Sequence, residues 1–264
     1  MRRTGKCCLC GKVKDLSFEH VPPRNSYNYR DSVFERIDFM DWIKEKGTWK
    51  KRQKIRGGLG AFTLCIRCNS LGARYAREYK EWVNKAINIL KGNNNREWLG
   101  ILTDIYPVRF LKEVALMFCS LNGPQFAEKN PNVRNFIMSK DGSQLPPKIT
   151  IYMYLNTSKF ITRTGITALI QFEKPSKVYV VSEYNFPPFG FAMYIGNAKY
   201  DKLTDITWFD EYGYDEKVEV PFQLPILERN VPFPADYRTS LEIEYDRIKN
   251  QVEEFKNNKY INKL

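Results

Sequence analysis

Four of the six cysteines fall into two short-spaced pairs, Cys7-x2-Cys10 and Cys65-x2-Cys68, and 54 residues (positions 11–64) lie between the pairs. A tight turn at that spacing aims two sulfurs at one point. Two such turns offer four thiolates to a single tetrahedral ion at about 2.3 Å, which describes a closed structural zinc site. A pair of redox CxxC motifs is the competing reading. The zinc would hold together the two ends of an insert with little apolar periodicity of its own, so that metal binding contributes to folding. Cys8 has no partner at the right spacing, and Cys119 lies on the apolar side of an expected helix, so it belongs to the core. The opening MRRTGKCCLCG lacks the apolar stretch of a signal peptide, and no run of 18 apolar residues occurs. The expectation is a cytoplasmic protein, without a membrane span, whose cysteines are ligands or free thiols.

The chain has 264 residues, enough for one large domain or two modest ones with a real core. Its net charge of +12 is unevenly placed. Residues 1–145 hold 27 Lys and Arg against 14 Asp and Glu, whereas residues 146–264 hold 15 against 16. The positive excess thus sits in the cysteine-bearing half, which points to a polyanionic partner, nucleic acid first. The segment Lys44 to Arg56 concentrates it: Lys50, Lys51, Arg52, Lys54 and Arg56 stand close together beside Trp49. A DNA-gripping loop and a solvated charge run are both open readings of that segment.

Patterning predicts an α+β chain of three parts: residues 1–90, 91–145 and 146–264. Tyr75, Tyr79, Trp82, Val83, Ala86, Ile87 and Leu90 share one helical face. Gly92-Asn93-Asn94-Asn95 breaks that helix, and a second begins at Pro107 and ends at Asn122-Gly123-Pro124, the whole stretch 70–140 reading as helical. Short β-branched or aromatic runs follow at Ile149–Leu155, Ile166–Phe172, Lys177–Val181, Gly190–Ile195 and Lys217–Phe222, which predict a small, mostly antiparallel sheet. The Pro-rich stretch Asn185–Gly190 reads as either a recognition surface or a packed turn. A last helix is expected from Thr239, with Glu242 as capping-box partner. Its stripe Leu241, Tyr245, Ile248, Val252, Phe255 would pack on the sheet, the favoured reading, or form a homodimer through this C-terminal helix.

Nine residues after Cys10 comes Glu19-His20-Val21-Pro22-Pro23, and Asn69 directly follows Cys68. His20 is the only histidine of the chain. A core histidine is the bland reading, which the neighbouring acid and Pro-Pro disfavour. The order Cys-x2-Cys, Glu-His-x-Pro, Cys-x2-Cys-Asn resembles the zinc-braced branch of the HNH, or ββα-metal, nuclease family. The resemblance covers about residues 7–80 and implies an N-terminal zinc-bound ββα-metal unit in which a hairpin carries an acid–His pair and a helix follows the second cysteine pair. By position it makes Glu19 a ligand of a catalytic ion, His20 the general base, and Asn69 the second ligand of that ion. Elementary chemistry agrees: a neutral imidazole can take a proton from water near pH 7, and carboxylate and amide oxygens favour magnesium or manganese over zinc. Arg74 and Arg77, on the helix after Asn69, could reach a phosphate.

The resemblance implies a metal-dependent endonuclease acting on DNA, most naturally double-stranded, with restriction or phage defence as an analogy only. Two departures matter. The family carries an Asn before the second cysteine pair to orient the base, but Gly57-Gly58-Leu59-Gly60-Ala61-Phe62-Thr63-Leu64 has none. Either a backbone carbonyl orients His20, or Asn25 or Asn28 reaches in. The third letter is Asn rather than His, which should weaken metal affinity. The alternative function is a zinc-stabilised nucleic-acid-binding protein without catalysis. A protein-modifying or toxin activity in residues 145–264 finds no Ser/His/Asp or Cys/His set to support it.

Overall fold

The computed structural model describes residues 3–37, 50–140, 144–158, 161–170, 178–196, 200–229, 237 and 240–257. The chain is α+β and divides into two compact units that interleave in sequence. One holds residues 1–85, 101–149 and 206–220; the other holds 86–100, 150–205 and 221–264.

In the first unit, β1 (Arg3–Lys6), β2 (Val13–His20) and β5 (Gly60–Cys65) form an antiparallel sheet in the order β1-β2-β5. β3 (Ser32–Ile37) and β4 (Lys50–Ile55) pair as a separate ribbon within the insert. α1 (Ile66–Gly92) starts directly after β5. Its predicted face is buried at Tyr75, Tyr79, Trp82, Val83 and Ala86. Within this unit Trp82 stacks on Phe110 with ring centroids 4.0 Å apart. The Trp82 indole N–H and the Tyr106 backbone N–H both donate to the buried Glu78 carboxylate, at 3.0 and 3.1 Å.

α2 (Pro107–Asn122) has the expected limits: Pro107 needs no N–H in the first turn, and Gly123 at φ 79° ends the helix. Two short helices follow, α3 (Pro124–Lys129) and α4 (Pro131–Met138). The all-helical reading of 70–140 fails at β6 (Glu97–Ile105), where Leu99 and Ile101 are exposed. β6 ends the path β6, β12 (Val218–Leu227), β7 (Ile149–Asn156), β10 (Phe189–Ile195), β9 (Val178–Phe186), β8 (Thr162–Ile170) of a seven-stranded sheet, and the outer strand of a sheet need not show an inward apolar face.

The strands β7 (Ile149–Asn156), β8 (Thr162–Ile170), β9 (Val178–Phe186), β10 (Phe189–Ile195) and β12 (Val218–Leu227) lie close to the predicted runs; Phe172 and Lys177 fall outside the described residues. β11 (Thr204–Asp205) pairs with β7. The pairing is antiparallel throughout β8, β9 and β10, and parallel between β12 and β7. In the second unit Tyr152, Tyr154, Val181, Ala192, Tyr194, Leu203 and Tyr237 form one core cluster. Asn185–Gly190 is a packed turn: Pro187 and Pro188 close the β9–β10 hairpin, and Asn185 and Phe189 are buried.

The terminal helix α5 runs Ser240–Asn257; Thr239 lies outside the described residues, as do the side chains of Leu241, Val252 and Phe255. Tyr245 is 69% and Ile248 52% exposed, so these two members of the stripe stand in solvent instead of packing on the sheet. Among the described residues no helix is long and apolar enough to cross a membrane.

Candidate metal centre and catalytic face

Cys7 and Cys10 lie on the turn from β1 to β2, Cys65 ends β5, and Cys68 sits in the first turn of α1. These elements bring all four sulfurs within 4.8 Å of one another, with Cys10 and Cys65 Sγ 4.0 Å apart. Four sulfurs around one ion at about 2.3 Å stand about 3.8 Å apart, so a small contraction closes the set on a metal. The Cys65 N–H donates to Cys7 Sγ at 3.3 Å, and the Cys8 N–H to the Thr63 carbonyl at 2.8 Å, which ties the turn to β5.

Crowding splits the thiols: the Cys68 S–H draws Cys7 well below the ordinary thiol range, and that same bond and burial push Cys68 upward. A bound cation would stabilise all four as thiolates. Burial pushes Cys8 up to about 12 and Cys119 higher still, which leaves both as thiols outside the cluster. Among the described residues, no other group of three or more His, Cys, Asp or Glu side chains could hold an ion.

β2 ends at Glu19 and His20. Alternation along the strand turns them to opposite faces. The Glu19 carboxylate is buried at 6% exposure, and its Oε2 accepts hydrogen bonds from Thr63 Oγ1 (2.6 Å) and Ser120 Oγ (2.8 Å). Its Oε1 accepts none among the described residues. Burial raises its pKa to about 7 against the opposing pull of those two hydroxyls.

His20 is partly exposed, edge-on to Phe18 with centroids 5.0 Å apart. Its Nε2 lies 3.1 Å from the Gly57 carbonyl. A carbonyl only accepts, so Nε2 carries a proton, and Nδ1, the acceptor of the neutral ring, makes no hydrogen bond among the described residues. Of the alternatives for orienting His20, the geometry has the backbone carbonyl. Among the described residues the Asn25 side chain only accepts a bond from Ser26 Oγ, at 3.3 Å. Asn28 acts one step back: its Nδ2 donates to Pro22 O (2.6 Å) and Leu59 O (2.7 Å), and its Oδ1 accepts from the Leu59 N–H (2.7 Å).

The glycines at 58 and 60 serve this loop. Gly58 adopts φ +102°, and a Cβ there would lie 2.3 Å from the Asn28 carbonyl oxygen. Gly60 pairs with His20 across the ladder, and a Cβ would lie 2.1 Å from the Glu19 carbonyl oxygen.

Asn69, in the first turn of α1, donates to Ser17 Oγ at 3.0 Å and to the Phe18 carbonyl at 3.3 Å, which leaves Oδ1 without a hydrogen bond among the described residues. Asn69 therefore meets β2 immediately before Glu19, although no hydrogen bond joins the two. Arg74 and Arg77 are exposed on α1, and Lys54 and Arg56 are exposed at the end of β4. Lys50, Lys51 and Arg52 lie on β4 with side chains outside the described residues, as is the stretch Lys44–Trp49.

Sequence reasoning missed Thr63 and Ser120, and it offered a backbone carbonyl as the partner of His20 without placing it at Gly57. Ser120, a polar residue on an otherwise buried helix face, offered the one signal; a carbonyl offers none. Comparison of the chain with family models, with curated proteins and with solved structures returned no match.

Proposed function

We propose that the first unit is a metal-dependent endonuclease of the HNH, or ββα-metal, kind, which hydrolyses phosphodiester bonds in DNA. The observation that carries this reading is the imidazole of His20: its Nε2–H is held by the Gly57 carbonyl, and Nδ1 makes no hydrogen bond among the described residues. That is the form a general base requires. In this reading His20 Nδ1 takes a proton from the attacking water. Gly57 holds the ring, and Asn28 holds the loop that presents Gly57. Exposed Arg74 and Arg77 bind backbone phosphates, with Lys54 and Arg56 as further contacts.

The free Oε1 of Glu19 and Oδ1 of Asn69 would hold a magnesium or manganese ion, which when bound supplies charge neutralisation at the phosphate and the departing oxygen. Thr63 and Ser120 fix the carboxylate from behind, the usual task of hydroxyls behind a ligand. The four cysteines take zinc, because four sulfurs with no open position suit a structural ion.

The second reading, a zinc-stabilised nucleic-acid-binding protein without catalysis, draws on the burial of Glu19. Incubation of supercoiled plasmid with magnesium or manganese separates the two. His20→Ala should lower cleavage by about 10²–10⁴-fold with zinc content and DNA binding retained. Undiminished cleavage by that variant removes the mechanism, and binding without cleavage by the wild type favours the second reading.

A further inference from the structure

A cavity of about 460 Å³ opens beside the cysteine cluster in the first unit, lined by Lys12, Lys14, Arg67, Arg134, Asn135 and Ser139 together with cluster sulfurs. Four cations meet there and no acidic residue lines the space. Among the described residues none of the four is in an ion pair, whereas nearby Lys6 is held by Glu128 at 2.6 Å. A zinc tetrathiolate carries a charge of about −2, so the four side chains exceed what that centre would neutralise. The cavity is therefore built for an anion from outside.

We propose that this cavity binds a backbone phosphate of the nucleic acid, at a subsite separate from the catalytic face. The proposal rests on the reading of nucleic acid as substrate. The Asn135 amide and Ser139 hydroxyl add neutral donors to the four cations, a mixture that suits phosphate oxygens. Lys14 and His20 lie on one face of β2, six residues apart. That separation is about 20 Å along the strand, or about six base-pair rises of duplex. One duplex laid along β2 thus reaches both the cavity and the imidazole.

The test uses the full-length His20→Ala protein, loaded with zinc, and a 20-base-pair duplex whose binding is followed by fluorescence anisotropy across a salt series. Adding Lys14→Glu and Arg134→Glu should weaken binding at least tenfold at low salt and reduce the salt slope by about one, since a lost phosphate contact removes about 0.9. The same charge change placed at exposed Lys91 and Lys148 should leave the slope within about half a unit. Lys14→Gln with Arg134→Gln, measured at unchanged zinc content, gives the same direction without charge reversal. An unchanged slope in both cavity variants overturns the proposal, and so does displacement of the duplex by inorganic phosphate at matched ionic strength, which would mark a free-anion site. Cleavage plays no part in this readout. A parent that binds duplex with the expected slope, from a wild type that does not cut, leaves the cavity standing and removes only the nuclease reading.

Discussion

Two buried carboxylates, one in each unit, are treated in opposite ways. Glu183 in the second unit is 2% exposed and meets Arg229 at 3.1 Å, and the Tyr237 hydroxyl also donates to it. Glu113 in the first unit is 4% exposed, and its Oε2 has no hydrogen-bond partner among the described residues. Burial, and then the charge of Glu19, raise it well above the usual carboxylate range. The second unit thus neutralises its interior acid with its own residues. The first leaves Glu113 and Glu19 to be balanced by protons or by a cation from outside. Acids left uncompensated near a partly exposed imidazole are what the reading proposed for the first unit calls for.

The largest expected effect lies in the zinc proposed for the four-cysteine cluster. Apparent binding free energies for structural zinc run to about 10–16 kcal/mol, comparable to the whole stability of a domain. Cys68→Ser should therefore strip hydrogen-exchange protection from β2 and β5 while β9 and β10 keep theirs. Uniform loss across both units would break the contrast between them. Next comes Arg229→Met, which leaves the Glu183 charge buried and unpaired and should cost about 3–5 kcal/mol in denaturant unfolding. Replacing both partners with apolar residues should recover most of that, and no recovery would mean that the pair does more than neutralise.

The smallest effect sharpens the other side. Folded Glu113 holds its proton more tightly than the unfolded chain, so its contribution to stability is complete below about pH 4.3 and is lost as pH rises toward the raised folded value. Glu113→Gln should thus gain about 1–3 kcal/mol over wild type at pH 8 and little at pH 4. Thermal unfolding at the two pH values checks this, and an equal gain at both would place the cause in packing rather than charge.

Much of this architecture was readable in advance where residue type alone decides. Two CxxC pairs specify a sulfur cluster because thiol geometry needs no help from distant residues. Pro107 and Asn122-Gly123-Pro124 mark the limits of α2 because each acts on its own backbone. β6 was hidden because Leu99 and Ile101 face solvent, so burial never stamped an alternating pattern on the strand. The inward turn of Glu19 was hidden as well: Thr63 and Ser120 come from remote parts of the chain and meet it only on folding. His20 stood out as a candidate, but its poise depends on a peptide oxygen, which every residue possesses and no letter records.

That dependence has an evolutionary side. No point substitution can delete the oxygen of Gly57, so the proton on the imidazole is steered by the path of a loop and not by the identity of any one neighbour. Drift can retune such a centre only by changing the length or curvature of residues 57–60, where bulk at Gly58 or Gly60 collides with backbone. The arrangement resists gradual change, and variation should arrive there as insertions or deletions rather than as exchanged side chains.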